Sequence, residues 1–255
     1  MHCHRVGINN VLMTMQPDLS ALDDKLLDGL EFCLKAYDLF DLVMAQPDAL
    51  ERIRIRKDVV EKKLVEELLP IAHYVQHQYR AGNRFQIQWS NGSQPYDAIL
   101  FSPQSMVEKA GKPERIMIEA TSALHPNDHV SRRVGHEDGL SWGPRSVEKD
   151  PKTGKATTKA VALGYLENSS ELAGFIIRML EKKSAKNYPL ETVLVINCTT
   201  FGIMCDEEWK ATVEMVEKKN LHKNFREVYL VEQLRNCSVT LWGGSKNRRT
   251  EEPTA

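Results

Sequence analysis

Residues 94–122, QPYDAILFSPQSMVEKAGKPERIMIEATS, hold two short apolar runs, Ala98–Phe101 and Ile116–Ile118, each with a carboxylate at one end. Asp97 precedes the first run and Glu119 follows the second. Between them lie Pro103, Gly111 and Pro113, residue types that break regular structure and turn a chain. Reading both runs as strands of one antiparallel hairpin puts the start of one beside the end of the other. Asp97 and Glu119 then converge at one edge of a sheet. Two such carboxylates repel unless a cation sits between them, and hard oxygen donors suit Mg²⁺ or Mn²⁺. A plainer reading stays open on the residues alone: Asp97 follows a turn, and Glu119 ends an exposed strand.

Upstream, Arg84–Trp89 alternates polar with apolar, which predicts a half-buried strand with Phe85, Ile87 and Trp89 inward. Asn91-Gly92 is a tight-turn signal leading into a strand over Tyr96–Phe101. From Asp58 to about Tyr79 the spacing of Val60, Leu64, Val65, Leu68, Leu69, Ala72 and Val75 predicts a helix, ended by Ala81-Gly82-Asn83. Glu61 borders that stripe, either aimed at the core or as a solvated first-turn acid. Pro17 to Gln46 also reads as a helix, closed by Pro47-Asp48, and ERIRIR after it reads as a strand or as the lead-in to a helix.

Downstream, Ala123 to Thr157 reads as a long polar loop carrying Gly135, Gly139, Gly143, Pro144, Pro151 and Gly154. A helix is predicted over Thr158–Lys183 and a strand buried on both faces over Thr192–Cys198. An amphipathic helix follows over Asp206–Leu221, then short strands over Glu227–Val231 and Ser238–Trp242 and a polar tail from Gly243. The expected organisation is a flexible segment over 1–16, a helical extension over 17–56, one α/β core over 57–242 and a disordered tail over 243–255. A hairpin-rich start followed by βαβ alternation implies an α/β fold with a mixed sheet flanked by helices.

Composition narrows the setting. The 255 residues are 42% hydrophobic and 27% charged, with a net charge of −1, which announces no global nucleic-acid or membrane surface. Five cysteines, Cys3, Cys33, Cys198, Cys205 and Cys237, show no CxxC spacing and argue for a reducing compartment. With no long apolar run and no signal-peptide pattern at the start, the expectation is a cytoplasmic protein with no membrane partner. There is no GxGxxG, GxxxxGK[ST] or HExxH motif.

The order helix, three strands, helix, strand, combined with Pro95-Tyr96-Asp97 and Glu119-Ala120-Thr121, resembles the PD-(D/E)XK nuclease superfamily over roughly Asp58 to Val231. The resemblance implies a restriction-endonuclease-like αβββαβ core. It also implies Mg²⁺ or Mn²⁺ held by Asp97, Glu119 and the Ala120 carbonyl, with Glu61 the candidate acid on the preceding helix. The implied chemistry is metal-assisted hydrolysis of a phosphodiester, in DNA rather than RNA. Thr121 stands where the family has a lysine that helps position or deprotonate the attacking water. Either a lysine from elsewhere reaches the site, Lys159 first and Lys155 second, or the chain is a degenerate member serving in nucleic-acid or protein binding.

In the segment after Glu119, Arg132 and Arg133 are candidate phosphate contacts and Trp142 a candidate base-stacking residue. A solvated loop is the alternative. His125, His129 and His136 with Asp128 or Asp138 fit no standard zinc spacing, and His73 with His77 lack a third ligand nearby. Cys198 reads as a core cysteine rather than a nucleophile. Leu221 and Leu241, taken as exposed apolar residues, hint at a homodimer.

Overall fold

The computed structural model describes residues 16–79, 84–102, 114–161, 164–189, 191–198, 205–233 and 236–243. Pro103, Gly111, Pro113, Ala81-Gly82-Asn83, the first fifteen residues and the tail beyond Gly243 lie outside them. A mixed seven-stranded sheet forms the centre, with helices packed on both faces.

In chain order its strands are β1 (Leu26–Asp28), β2 (Gln86–Trp89), β3 (Ala98–Ser102), β4 (Glu114–Ser122), β7 (Thr192–Asn197), β8 (Glu227–Glu232) and β9 (Cys237–Trp242). They lie in that same order across the sheet. β1 to β4 pair antiparallel, β4, β7 and β8 run parallel, and β9 returns antiparallel. A separate two-stranded hairpin joins β5 (Val147–Lys149) to β6 (Ala156–Thr158).

The helices are α1 (Gly29–Met44), α2 (Ala49–Ile55), α3, α4 (Asp128–Glu137), α5 (Tyr165–Ser184) and α6 (Asp206–Glu217). α3 is built of Val59–Lys63, a π-helical turn Leu64–Leu68 and Leu69–Gln78. Pro70 has no N–H for the preceding turn and would crowd the carbonyl four residues back. The chain widens just there, Leu69 N–H reaching back to the Leu64 carbonyl. Such π-bulges recur at functional sites, and this one carries Glu67.

Strand alternation sorts the sheet residues between two cores. Ile87, Trp89, Ala98, Leu100, Ile116, Ile118, Val193 and Val195 face α1 and α3. Leu194, Ile196, Val228 and Leu230 face α5 and α6. Thr192–Asn197 is buried throughout, as its unbroken apolar run predicts for a central parallel strand.

Several boundaries differ from the sequence reading. The Pro17–Gln46 helix begins only at Gly29, because Asp24 sits in the left-handed region (φ 54°) and Leu26–Asp28 pairs with Gln86–Gln88. The segment before Asp58 is therefore joined to the sheet and the core rather than a helical appendage. ERIRIR lies in α2, which ends where Arg56 turns left-handed (φ 54°). The Ala123–Thr157 segment is not a bare loop: Val130 and Val134, one turn apart on α4, pack with Val147 and Ala156 in a small third core. Thr158 belongs to β6, and α5 starts after Gly164, whose N–H is capped by Glu167 at 3.1 Å. Leu241 is buried and Leu221 packs against the α5–α6 core, so neither offers a dimer surface. Among the described residues no helix is long and apolar enough to cross a membrane.

The start of α1 yields a first prediction. Asp28 accepts a hydrogen bond from Leu30 N–H at 2.9 Å, satisfying a donor the helix leaves open. Asp28→Ala is expected to lower stability by about 1 kcal/mol in urea denaturation. An unchanged midpoint would make the cap dispensable.

Candidate functional site

The hairpin brings Asp97 and Glu119 together in the way their positions at opposite strand ends predict. Ala98 pairs with Ile118, and Asp97 N–H donates to the Ile118 carbonyl at 2.8 Å. One step further in this register, Asp97 lies beside Glu119. The Asp97 Oδ2 accepts from Ala120 N–H at 2.7 Å, which pins the carboxyl over the middle residue of the Glu119-Ala120-Thr121 triplet.

Asp97 titrates far from an ordinary aspartate. Burial is the first cause, the negative charges of Glu67 and Glu119 add to it, and together they push its pKa to about 7. The Ala120 N–H and the Lys63 ammonium pull the other way without cancelling the rise. Glu67 reaches Asp97 from the π-turn of α3, its Oε1 paired with Lys63 at 2.6 Å. Its Oε2 is buried with no hydrogen-bond partner among the described residues. A buried carboxylate oxygen left without a donor is costly, and its charge adds to the rise at Asp97.

Glu119 is held differently. The Lys183 ammonium, near the C-terminus of α5, bonds its Oε1, and the Tyr188 hydroxyl donates to the same oxygen at 3.0 Å. Burial and the Glu119 charge raise the Tyr188 pKa, so its hydroxyl keeps its proton and stays a donor. Tyr188→Phe removes one bond to a mostly buried carboxylate. It is expected to lower stability by about 1–2 kcal/mol in thermal or urea denaturation, a loss that is smaller in a Glu119→Gln background, where the acceptor is neutral.

The other candidates are placed apart from this cluster. Glu61 is fully buried, but Arg52 Nε binds its Oε1 at 2.5 Å, and its Oε2 accepts from Asp58 N–H at 3.2 Å. The helix acid that bears on Asp97 is Glu67. Lys159 does not start a helix; it pairs with Glu148 on the exposed β5–β6 hairpin at 2.6 Å, and Lys155 is exposed at the same hairpin's turn. The lysine brought to Glu119 is Lys183. Its signal was present in the sequence, since Lys183 extends the buried stripe of Leu172, Ile176 and Leu180 by one turn. Thr121 lies on the same face of β4 as Glu119, by alternation.

On α4, Arg132 is committed to Asp128 at 2.5 Å, whereas Arg133 is exposed beside Glu137. Trp142 is 54% exposed. Among the described residues the histidines form no metal cluster: His125 packs on Phe175, His136 lies near Glu51, and His73 bonds Tyr229 and Asn236. Among the described residues no three His, Cys, Asp or Glu side chains are already grouped to hold a metal. Cys198 is a core thiol, its pKa raised by burial. No protein-family model matches the chain, and no curated protein or solved structure does either.

Proposed function

We propose that the chain is a metal-dependent phosphodiester hydrolase, endonuclease-like, acting on DNA, with α3, β2, β3, β4, α5 and β7 as a restriction-endonuclease-like core. One observation carries the reading: Asp97 and Glu119 stand side by side where β3 begins and β4 nears its end, with a lysine ammonium delivered to Glu119 from α5. The order of elements, three antiparallel strands after a helix and a parallel fourth after another, supports it.

The groups that would hold a hard divalent cation are Asp97, Glu119 and the Ala120 carbonyl, and the buried, unpartnered Glu67 oxygen whose charge bears on Asp97 supports that reading. Bound there, Mg²⁺ or Mn²⁺ would supply Lewis acidity to a phosphate and acidify a water. The chain's own groups do the rest. Lys183 provides the positive charge that Thr121 lacks, against the negative charge that develops on the phosphate. Asp97, whose metal-free carboxyl is pushed up to about 7, would have to give up its proton to hold the cation, so binding would be expected to strengthen as pH rises through neutrality. Arg133 and Trp142, exposed on the segment after β4, are available for a phosphate and a base.

A second reading draws on a specific observation. Lys183 and Tyr188 already satisfy Glu119, and a fold that has neutralised its acids internally would suit a binding module that no longer cleaves. Titration with Mn²⁺ separates the two. The hydrolase is expected to bind Mn²⁺ at micromolar to millimolar concentration and, assayed on single- and double-stranded DNA and RNA, to cut DNA in its presence. Chelator, Asp97→Ala and Glu119→Ala should each abolish cutting. Cleavage that survives both substitutions would remove these residues from the mechanism.

A further inference from the structure

β1, β2 and β3 turn one face away from α1 and α3, and across it runs a row set by the register: Leu26 opposite Gln88, Gln88 opposite Ile99, Ile99 opposite Met117. Leu26 is 53% exposed, and the other three are only partly covered. The neighbouring row holds Ser90, Asp97 and Glu119. Between the two rows and the turn after β2 lies a cavity of about 300 Å³, at the small end of ligand sites.

Its chemistry is specific. Ile99 gives it an apolar wall and Tyr96 an aromatic ring. Asp24 gives it a carboxylate, of which Ser90 Oγ uses one oxygen at 2.5 Å, leaving acceptor capacity for more bonds. The Gln94 side chain is fixed by its Nε2, which donates to the Ser90 carbonyl at 2.7 Å, and its Oε1 lies over Gly92. Gln88 adds a second amide. No lysine or arginine lines the cavity, and Asp23, which caps Asn91 N–H at 2.8 Å, adds negative charge beside it. An acceptor-rich, anionic pocket rejects phosphate. It suits a flat group with apolar faces and N–H donors on its edge.

We propose that this cavity is a nucleobase subsite that takes a base carrying an exocyclic amine, cytosine or adenine, against Tyr96, with the amine donating to Asp24 and Gln94. Carboxylate acceptance of the cytosine amine and amide recognition of adenine are the matching pairs. As a substrate subsite it rests on the phosphodiesterase reading; as a binding site it does not. A base seated there has left its stack, so the substrate is a single strand or an extruded nucleotide. Ser90, which lines the cavity, donates its N–H to the Asp97 carbonyl at 3.1 Å, so the seated nucleotide would lie one strand from that acid.

The test uses the full chain in chelator, titrated calorimetrically with cytidine, adenosine, uridine and inorganic phosphate. Cytidine and adenosine are expected to bind, uridine at least tenfold more weakly, and phosphate not to compete. Asp24→Asn keeps a residue that tolerates the left-handed backbone and removes the charge. Gly92→Ala puts a methyl 2.1 Å from Gln94 Oε1 and displaces that flexible amide without touching backbone. Each should weaken cytidine about tenfold at unchanged melting temperature. Equal binding of uridine, competition by phosphate, no nucleoside binding to a chain that melts normally, or indifference to both variants would overturn the proposal. Nucleoside binding without metal-dependent cleavage would leave the subsite standing and remove the hydrolase reading. Cleavage without nucleoside binding would do the reverse.

Discussion

Asp97→Asn is expected to raise the stability of the metal-free protein above pH 7 by up to about 4 kcal/mol, while lowering cleavage at least ~10²–10³-fold. The two effects have one origin. Folding moves the Asp97 pKa from 3.8 to about 7, so the folded chain holds a proton that the unfolded chain has released between those values. Stability is then greatest below the unfolded pKa, falls as pH rises from about 4 to about 7 and stays low above it. Asparagine keeps an oxygen for the Ala120 N–H and carries no charge to bury. Urea denaturation in chelator at a series of pH values should show the wild-type curve falling away from the variant across that window. Parallel curves would mean that Asp97 is an ordinary solvated carboxylate. Under the proposed reading, a bound cation would offset that ionised charge, so added Mn²⁺ should reduce the gap between wild type and variant above pH 7.

The parts of the fold that were legible in the sequence are those where periodicity and burial coincide. Arg84–Trp89 alternates because one face is buried, and Thr192–Asn197 is apolar throughout because both faces are. Asp97 and Glu119 could be paired because a hairpin register ties opposite strand ends together. What escaped was set by interactions distant in the chain. β1 is only three residues long and gains its strand geometry from Gln86–Gln88, so its local pattern merges with the helix that follows. α4 buries one valine pair per two turns, too thin a stripe to stand out among the glycines and charges around it. Glu61 and Glu67 were separable only by a π-turn that shifts the helix phase between them, and periodicity of 3.6 residues does not register such a shift. Lys183 lay far beyond any motif window, although its place on a buried stripe marked it as a cation in need of a partner.

That partner makes the Lys183 variant the other large effect. Both side chains of the Lys183–Glu119 pair are 11% exposed, so the ammonium cannot be removed without leaving a carboxylate largely cut off from water. Lys183→Met is expected to lower stability by about 3–5 kcal/mol at neutral pH. The Tyr188 hydroxyl would remain as a single neutral donor to Glu119. Adding Glu119→Gln should restore much of the loss, since removing both charges of a buried pair costs far less than removing one. The double-mutant cycle in urea therefore has a sign: the two losses combine to less than their sum. Additive losses would mean that Lys183 acts through packing of its methylene stem. The same proteins decide its role in chemistry. If Lys183 stands in for the missing lysine of the Glu119-Ala120-Thr121 triplet, Lys183→Met fails to cleave even at temperatures where it remains folded. Cleavage retained per folded molecule would confine Lys183 to holding α5 against β4.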